Sequence, residues 1–234
     1  MAAETQVLVD NEKKYIAKFF SDASESDVKK VDLSTLSWAK HTITLSGAAS
    51  PNFKIGEVLT VGAEKYLVTG FTAGASTVEV VGWDNTNKKA TAIDASSSNG
   101  DAVSGGVSGN NTRTYSSIAE QDFNVLVTKI MWITNGLQVA IEWDGSTAEK
   151  YIAELIANGI WSMPAMEWPG IGINASGDSG NVLGDIQFST TGHASGDSYT
   201  VIMELKKQSG YDIPAYEQNN ILGYPVDYLL GNFT

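Results

Sequence analysis

The chain has 234 residues with a formal net charge of −12, no cysteine and an ordinary hydrophobic share. That length buries roughly 70% of the unfolded surface without staples, and the missing cysteine excludes disulfides, thiolate metal sites and thiol nucleophiles. An acidic surface repels nucleic-acid phosphates and anionic lipid, which excludes non-specific partners of both kinds.

Taken in chain order, the predicted elements are short strands. TQVLVD alternates around Val7 and Val9, KKYIAKFF follows, and DVKKVDL comes after an Asp/Ser-rich turn. HTITLSG, GEVLTVG, EKYLVTGF and STVEVVGW arrive at close intervals separated by glycine. FNVLVTKIMWI, GLQVAIEW, GDIQFST and SYTVIMELKK complete the set. Many short strands between turn signals predict an all-β fold, an antiparallel β-sandwich of jelly-roll or immunoglobulin-like type. MAAETQVLVDNEKKY lacks a basic region followed by an apolar run, so no signal peptide is expected. No stretch approaches the ~18 apolar residues of a membrane helix. The expectation is a protein made and kept in a cytoplasm.

Asn135-Gly136 is the preferred two-residue hairpin turn. A hairpin there would pair Trp132 with Val139, Ile130 with Ile141 and Thr128 with Trp143 on one face. The other face would pair Ile133 with Gln138, Met131 with Ala140 and Lys129 with Glu142, the last an opposite-charge pair. Glu142 and Asp144 beside Trp143 could form a glycosidase pair. Carboxylates at i and i+2 on one strand face diverge, however, whereas glycosidases hold theirs on facing walls. A solvated sheet face is the expectation. STAEKYIAELIANG fits a short helix by its Ser146/Glu149 capping box and Gly159 stop, and fits a strand by the alternation of Tyr151, Ala153 and Leu155.

Residues 37–112 carry their own β units and end in the flexible tract ASSSNGDAVSGGVSGNNT. They are expected to form a small β-barrel-like domain inserted in a loop of the main domain, which spans 1–36 and 113–207. Residues 208–234 are aromatic and lack a period. They read as an extended C-terminal arm, with Tyr211, Tyr216, Tyr224, Tyr228 and Phe233 as candidate interface residues.

Motifs for chemistry are sparse. His41 and His193 lack HxH or HExxH spacing, and are expected at surfaces or turns rather than on a metal. There is no GxSxG elbow, P-loop or EF-hand pattern. No catalytic, cofactor or metal residue is assigned. Six tryptophans allow a carbohydrate-binding reading, with Trp161 and Trp168 flanking SMPAME as the candidate platforms.

The ordered set VLVDNEKKYIAKF, VTKIMWITNGLQVAIEWDG, NGIW, GDIQFST and GDSYTVIMELKK resembles small virion structural proteins of tailed phages, especially those of marine bacteria. IGEVLTVGAEKYLVTGF resembles small β modules that recur in phage head and tail proteins. The resemblance implies a non-enzymatic, homo-oligomeric capsid decoration protein, or a neck, tail or fibre component with a sugar-binding adsorption role. Its partners would be a major capsid protein or tail and neck proteins, and its place the virion, assembled in a host cytoplasm. An acidic surface suits seawater, where salt screens charge over roughly 3–5 Å.

Overall fold

The computed structural model describes residues 3–46, 53–72, 75–93, 99–104, 113–120, 123–145, 149–163, 170–172, 182–208 and 210–211. The protein is all-β, with one 3-10 turn at Leu33–Thr35 among the described residues. It divides into two compact units, residues 1–33 with 123–209, and residues 34–122 with 210–234.

The first unit has two sheets. One contains β1 (Glu4–Asp10), β2 (Lys14–Ser21), β17 (Ser198–Lys207), β11 (Val125–Asn135) and β14 (Asn158–Ser162), in that order, with short β15 (Ile171–Gly172) also on β11. The other runs β13 (Lys150–Leu155), β12 (Gln138–Gly145), β16 (Val182–Thr191), β3 (Val28–Val31). All these pairings are antiparallel. Five links cross from sheet to sheet: β2 to β3, β11 to β12, β13 to β14, β15 to β16 and β16 to β17. Each strand of the first set β2-β17-β11-β14 therefore has its chain neighbour at the same place in the second set β3-β16-β12-β13. That strand order is a jelly roll. Strict alternation makes it possible: β2 and β17 bury every second side chain along most of their length, as a strand with one core face must. Phe19, Ala17, Val201, Met203 and Ile130 on one sheet face Phe188, Ile186, Ile141, Val139 and Trp143 on the other, all 0–1% exposed. Phe188 lies 5.2 Å edge-on to Phe19 and 6.0 Å from Tyr199, which joins the two sheets.

The Asn135-Gly136 hairpin is not formed. Gly136 has φ 79°, as the turn chemistry predicts, but the chain arches between sheets there. β11 pairs with β17 from Val125–Lys207 to Asn135–Ser198, and β12 pairs with β16 from Gln138–Thr191 to Trp143–Ile186. Ile130 and Ile141 still meet in the core, across the sandwich rather than along one sheet. The arch wins because each strand gains long partners on both edges, which a lone hairpin leaves open. The helix alternative for STAEKYIAELIANG also falls: Lys150–Leu155 is a strand, paired along β12 from Val139–Leu155 to Trp143–Lys150.

The second unit contains β4 (His41–Leu45), β5 (Val58–Val61), β6 (Glu64–Phe71), β7 (Thr77–Asp84), β8 (Lys89–Thr91), β9 (Ala102–Ser104) and β10 (Arg113–Glu120). Their order is β4-β10-β9-β5-β6-β7-β8, and β4 also pairs with β7, so six strands close into a ring. Closure removes the edges. The interior is mainly aliphatic, with Ile43, Leu45, Leu59, Val61, Val68, Val78, Val80 and Val103 around Tyr66, Phe53 and Tyr115. Two expectations are corrected. β10 belongs to this barrel rather than to the sandwich, because it supplies the edge that β4 and β9 need. The Gly/Ser-rich tract is not wholly a linker either, since Ala102–Ser104 is a barrel strand with Val103 fully buried. His41 and Glu120 are register partners, so the two ends of the barrel segment leave side by side, as loop insertion requires.

Candidate functional site

The outer face of the second sheet gathers the polar groups. Because Ile141, Trp143, Ile186 and Phe188 point inward, Glu142 and Gln187 between them point outward. Register places Tyr151, Glu142, Gln187 and Lys29 on one rung across four strands. The next rung carries Glu154, Ala140 and Ser189.

Glu142 is only 6% exposed. Its carboxyl sits above the ordinary glutamate range, chiefly because burial penalises the charge and further because Asp27 and Glu149 repel it. Hydrogen bonds from Ser189 and Tyr151 pull the other way. Ser189 also donates to Asp27 Oδ1 at 3.0 Å and accepts the Asp27 N–H at 2.9 Å. One hydroxyl proton thus serves two carboxylates. The expected Lys129–Glu142 pair does not exist, because Lys129 lies in the other sheet opposite Glu204 and Ser162. Beside the rung, Lys29 forms an ion pair with Asp185 at 2.5 Å, and Asp185 accepts the Leu33 N–H at 2.9 Å. Burial raises the Asp185 carboxyl against those bonds, and the Asp185 bond raises Lys29.

Two ion pairs are built into the sandwich itself. Glu25 accepts Lys30 Nζ and Tyr199 Oη, each at 2.7 Å, where the chain crosses from β2 to β3. The Lys30 and Glu25 side chains are 5% and 4% exposed, and Lys30 lies 6.0 Å from the centres of both the Phe188 and Tyr199 rings. Burial drives the Tyr199 hydroxyl far above its usual range, and Glu25 adds to that. At the opposite end of β17, Lys207 reaches Asp10 at 2.6 Å with no side-chain exposure. Burial lowers the Lys207 amine while Asp10 opposes the shift, and Tyr15 nearby is pushed up to about 12, by burial first and then by Asp10.

One end of the outer face of the first sheet is apolar, while Lys129, Glu204 and Lys18 share the rest of that face. Ile160, Met131 and Ile202 share one rung, with Ile133 on the next. Ile133 and Ile160 are 63% and 66% exposed. With Trp132, Gly159 and Thr200 they line a shallow depression of about 310 Å³. Gly159 is required there, since a Cβ would overlap the Trp132 indole, whose Nε1 donates to the Ile156 carbonyl at 3.2 Å.

Of the residues singled out by sequence, Trp161 is half-buried opposite Ile130, on the inward side of β14. Tyr211 is buried, and its backbone bridges Ala39. Trp168, Tyr216, Tyr224, Tyr228 and Phe233 lie outside the described residues. His41 is buried rather than superficial, its Nδ1 donating to the Ala39 carbonyl at 3.1 Å. His193 is half-buried and its Nε2 donates to the Asp22 carbonyl at 3.1 Å. The Gln187 and Ser189 neighbours of Glu142 escaped the sequence reading, because only the β12–β16 register brings them there.

No family model and no curated protein matches this chain. Among solved structures, a chain described as "Complete structure of manganese lipoxygenase of Gaeumannomyces graminis and partial structure of zonadhesin of Komagataella pastoris" is 9% identical, over 90% of this chain and 84% of that one. The TM-score is 0.14, and the likeness carries no argument.

Proposed function

We propose that this chain is a non-enzymatic virion structural protein of a tailed phage that decorates the capsid, acting as a homo-oligomer bound to a major capsid protein. The observation that carries the reading is the apolar shelf of Met131, Ile133, Ile160 and Ile202 on the open side of a jelly roll. Contiguous exposed apolar surface marks protein–protein contact. The sandwich interior, which jelly rolls of other kinds use to hold ligands, is filled here by Phe19, Trp143, Phe188 and Tyr199. Glu142 and Asp144 lie on one outward strand face rather than on opposed walls, which supports a scaffold role for that strand. The same surfaces would serve a neck, tail or fibre position, and micrographs separate the two.

The test is particle binding by a tagged chain in infected cells. Decoration of the capsid surface supports the reading; labelling of neck, tail or fibre selects the second position; absence from particles overturns both. The double variant Ile133→Asp/Ile160→Asp is expected to lose at least tenfold in particle binding. Replacing residues 40–121 by a short Gly-Ser link is expected to preserve binding, because the paired ends His41 and Glu120 leave the sandwich little to bridge.

A further inference from the structure

The outer face of the second sheet holds a group that the scaffold does not use. Gln187 is 4% exposed, yet its amide Nε2 has no hydrogen-bond partner. Leaving such a donor buried and unmade costs stability, so an orphan of this kind in a native structure calls for a reason. Gln187 stands between Glu142 and Lys29 on their rung. Around that rung stand acceptors and small hydroxyl groups: Glu142, Asp27 and Ser189. At its outer end Tyr151 is 69% exposed. The neighbouring rung has only the small side chains of Ala140 and Ser189 at its centre.

We propose that this face binds a neutral sugar unit, with the Tyr151 ring under the pyranose and the Gln187 amide, Asp27 and Glu142 taking its hydroxyls. The chemistry selects that class. A sugar hydroxyl both donates and accepts, so it needs an N–H donor beside a carboxylate acceptor, and Gln187 beside Glu142 supplies the pair. The C–H face of a pyranose needs an exposed aromatic, and Tyr151 is one. Asp27 and Glu149 already repel the Glu142 carboxylate, so an anionic sugar is disfavoured. A bare cation lacks a cage, because among the described residues no group of three or more His, Asp or Glu converges on a point. The site stands independently of the virion reading; it would equip a particle protein, or any other, to hold glycans.

The experiment uses the full chain on a printed array of neutral oligosaccharides built from glucose, galactose, mannose and N-acetylhexosamines. Isothermal titration with the strongest binder follows. Binding to at least one glycan is expected, with Kd raised tenfold or more by Tyr151→Ala and by Asp27→Asn. Asn tolerates the left-handed backbone at position 27, where φ is 51°, so that variant keeps the fold. Gln187→Met removes the donor at similar volume and is expected to match those losses. Ile160→Ala, on the other sheet, is expected to leave Kd unchanged. An array with no neutral binder overturns the proposal. So does a glycan whose Kd is indifferent to Tyr151→Ala, and so does a thermal shift from calcium chloride alone that Tyr151→Ala leaves intact and Glu142→Gln abolishes.

Discussion

The two units solve the same problem in opposite ways. In the barrel, β5, β6, β7 and β8 pair in chain order through short turns, and aliphatic side chains fill a closed ring. In the sandwich, the arches from sheet to sheet all join strands that never pair with each other, and large aromatics span the gap between sheets. A short-range signal such as Asn135-Gly136 fixes a reversal of the chain. It does not fix whether the reversal stays in one sheet. That choice rests on partners about seventy residues away in the case of β11 and β17.

The difference can be broken at its centre. Phe188→Ala removes the ring that touches Phe19 and Tyr199. It is expected to cost about 3–5 kcal/mol, read as a lower urea midpoint, with far-UV circular dichroism of the barrel strands as a control. A cost near 1 kcal/mol would mean the aromatics do not bridge the sheets.

Glu25→Ala comes next. It leaves the Lys30 ammonium buried without its carboxylate and deprives the Tyr199 hydroxyl of its acceptor. A loss of about 3 kcal/mol is expected, and Glu25→Ala combined with Lys30→Met is expected to recover much of it. Denaturant titration of the single and double variants measures both.

A smaller effect separates the arch from an ordinary hairpin. Gly136→Ala places a Cβ at φ 79° and against the Asp197 carboxylate. It is expected to cost more than about 1 kcal/mol, part of which returns in Gly136→Ala/Asp197→Ala. In a free hairpin the Asp197 variant would recover nothing.

The smallest effect is a pH dependence at Glu142. Its folded value is raised, chiefly by burial, so the folded state disfavours its charged form. The relative stability it contributes is therefore present at acid pH and lost as pH rises through the raised value. Glu142→Gln is expected to raise the melting temperature slightly at pH 7. That gain should shrink to nothing as pH falls below the unfolded value of 4.5. A gain that grows on acidification would reverse the assignment.

Strand content was legible, because alternation over TVIMELKK or KYIAKFF needs only local sidedness. The barrel was legible as a unit, although its last strand was not: Arg113–Glu120 has no local mark that assigns it to β4 rather than to the sandwich. The sandwich topology was hidden because Ile130 and Ile141 meet in the core under either register. The polar face was hidden with it. Lys129 and Glu142 look like partners only if β11 and β12 share a sheet, and the true neighbours Gln187 and Ser189 follow from the arch. Tyr151 could not be placed while its segment stood between helix and strand.

Both proposals depend on β11 and β12 lying in different sheets, and a chain without cysteine offers a clean test. Two double variants are compared under mild oxidation. Met131→Cys/Ile202→Cys joins register partners of β11 and β17, at a separation that suits a disulfide. It is expected to cross-link nearly completely in the native protein, while Met131→Cys/Ala140→Cys, the pair a hairpin would bring together, stays reduced. A disulfide between positions 131 and 140, with none between 131 and 202, would contradict the arch and remove the face built on it.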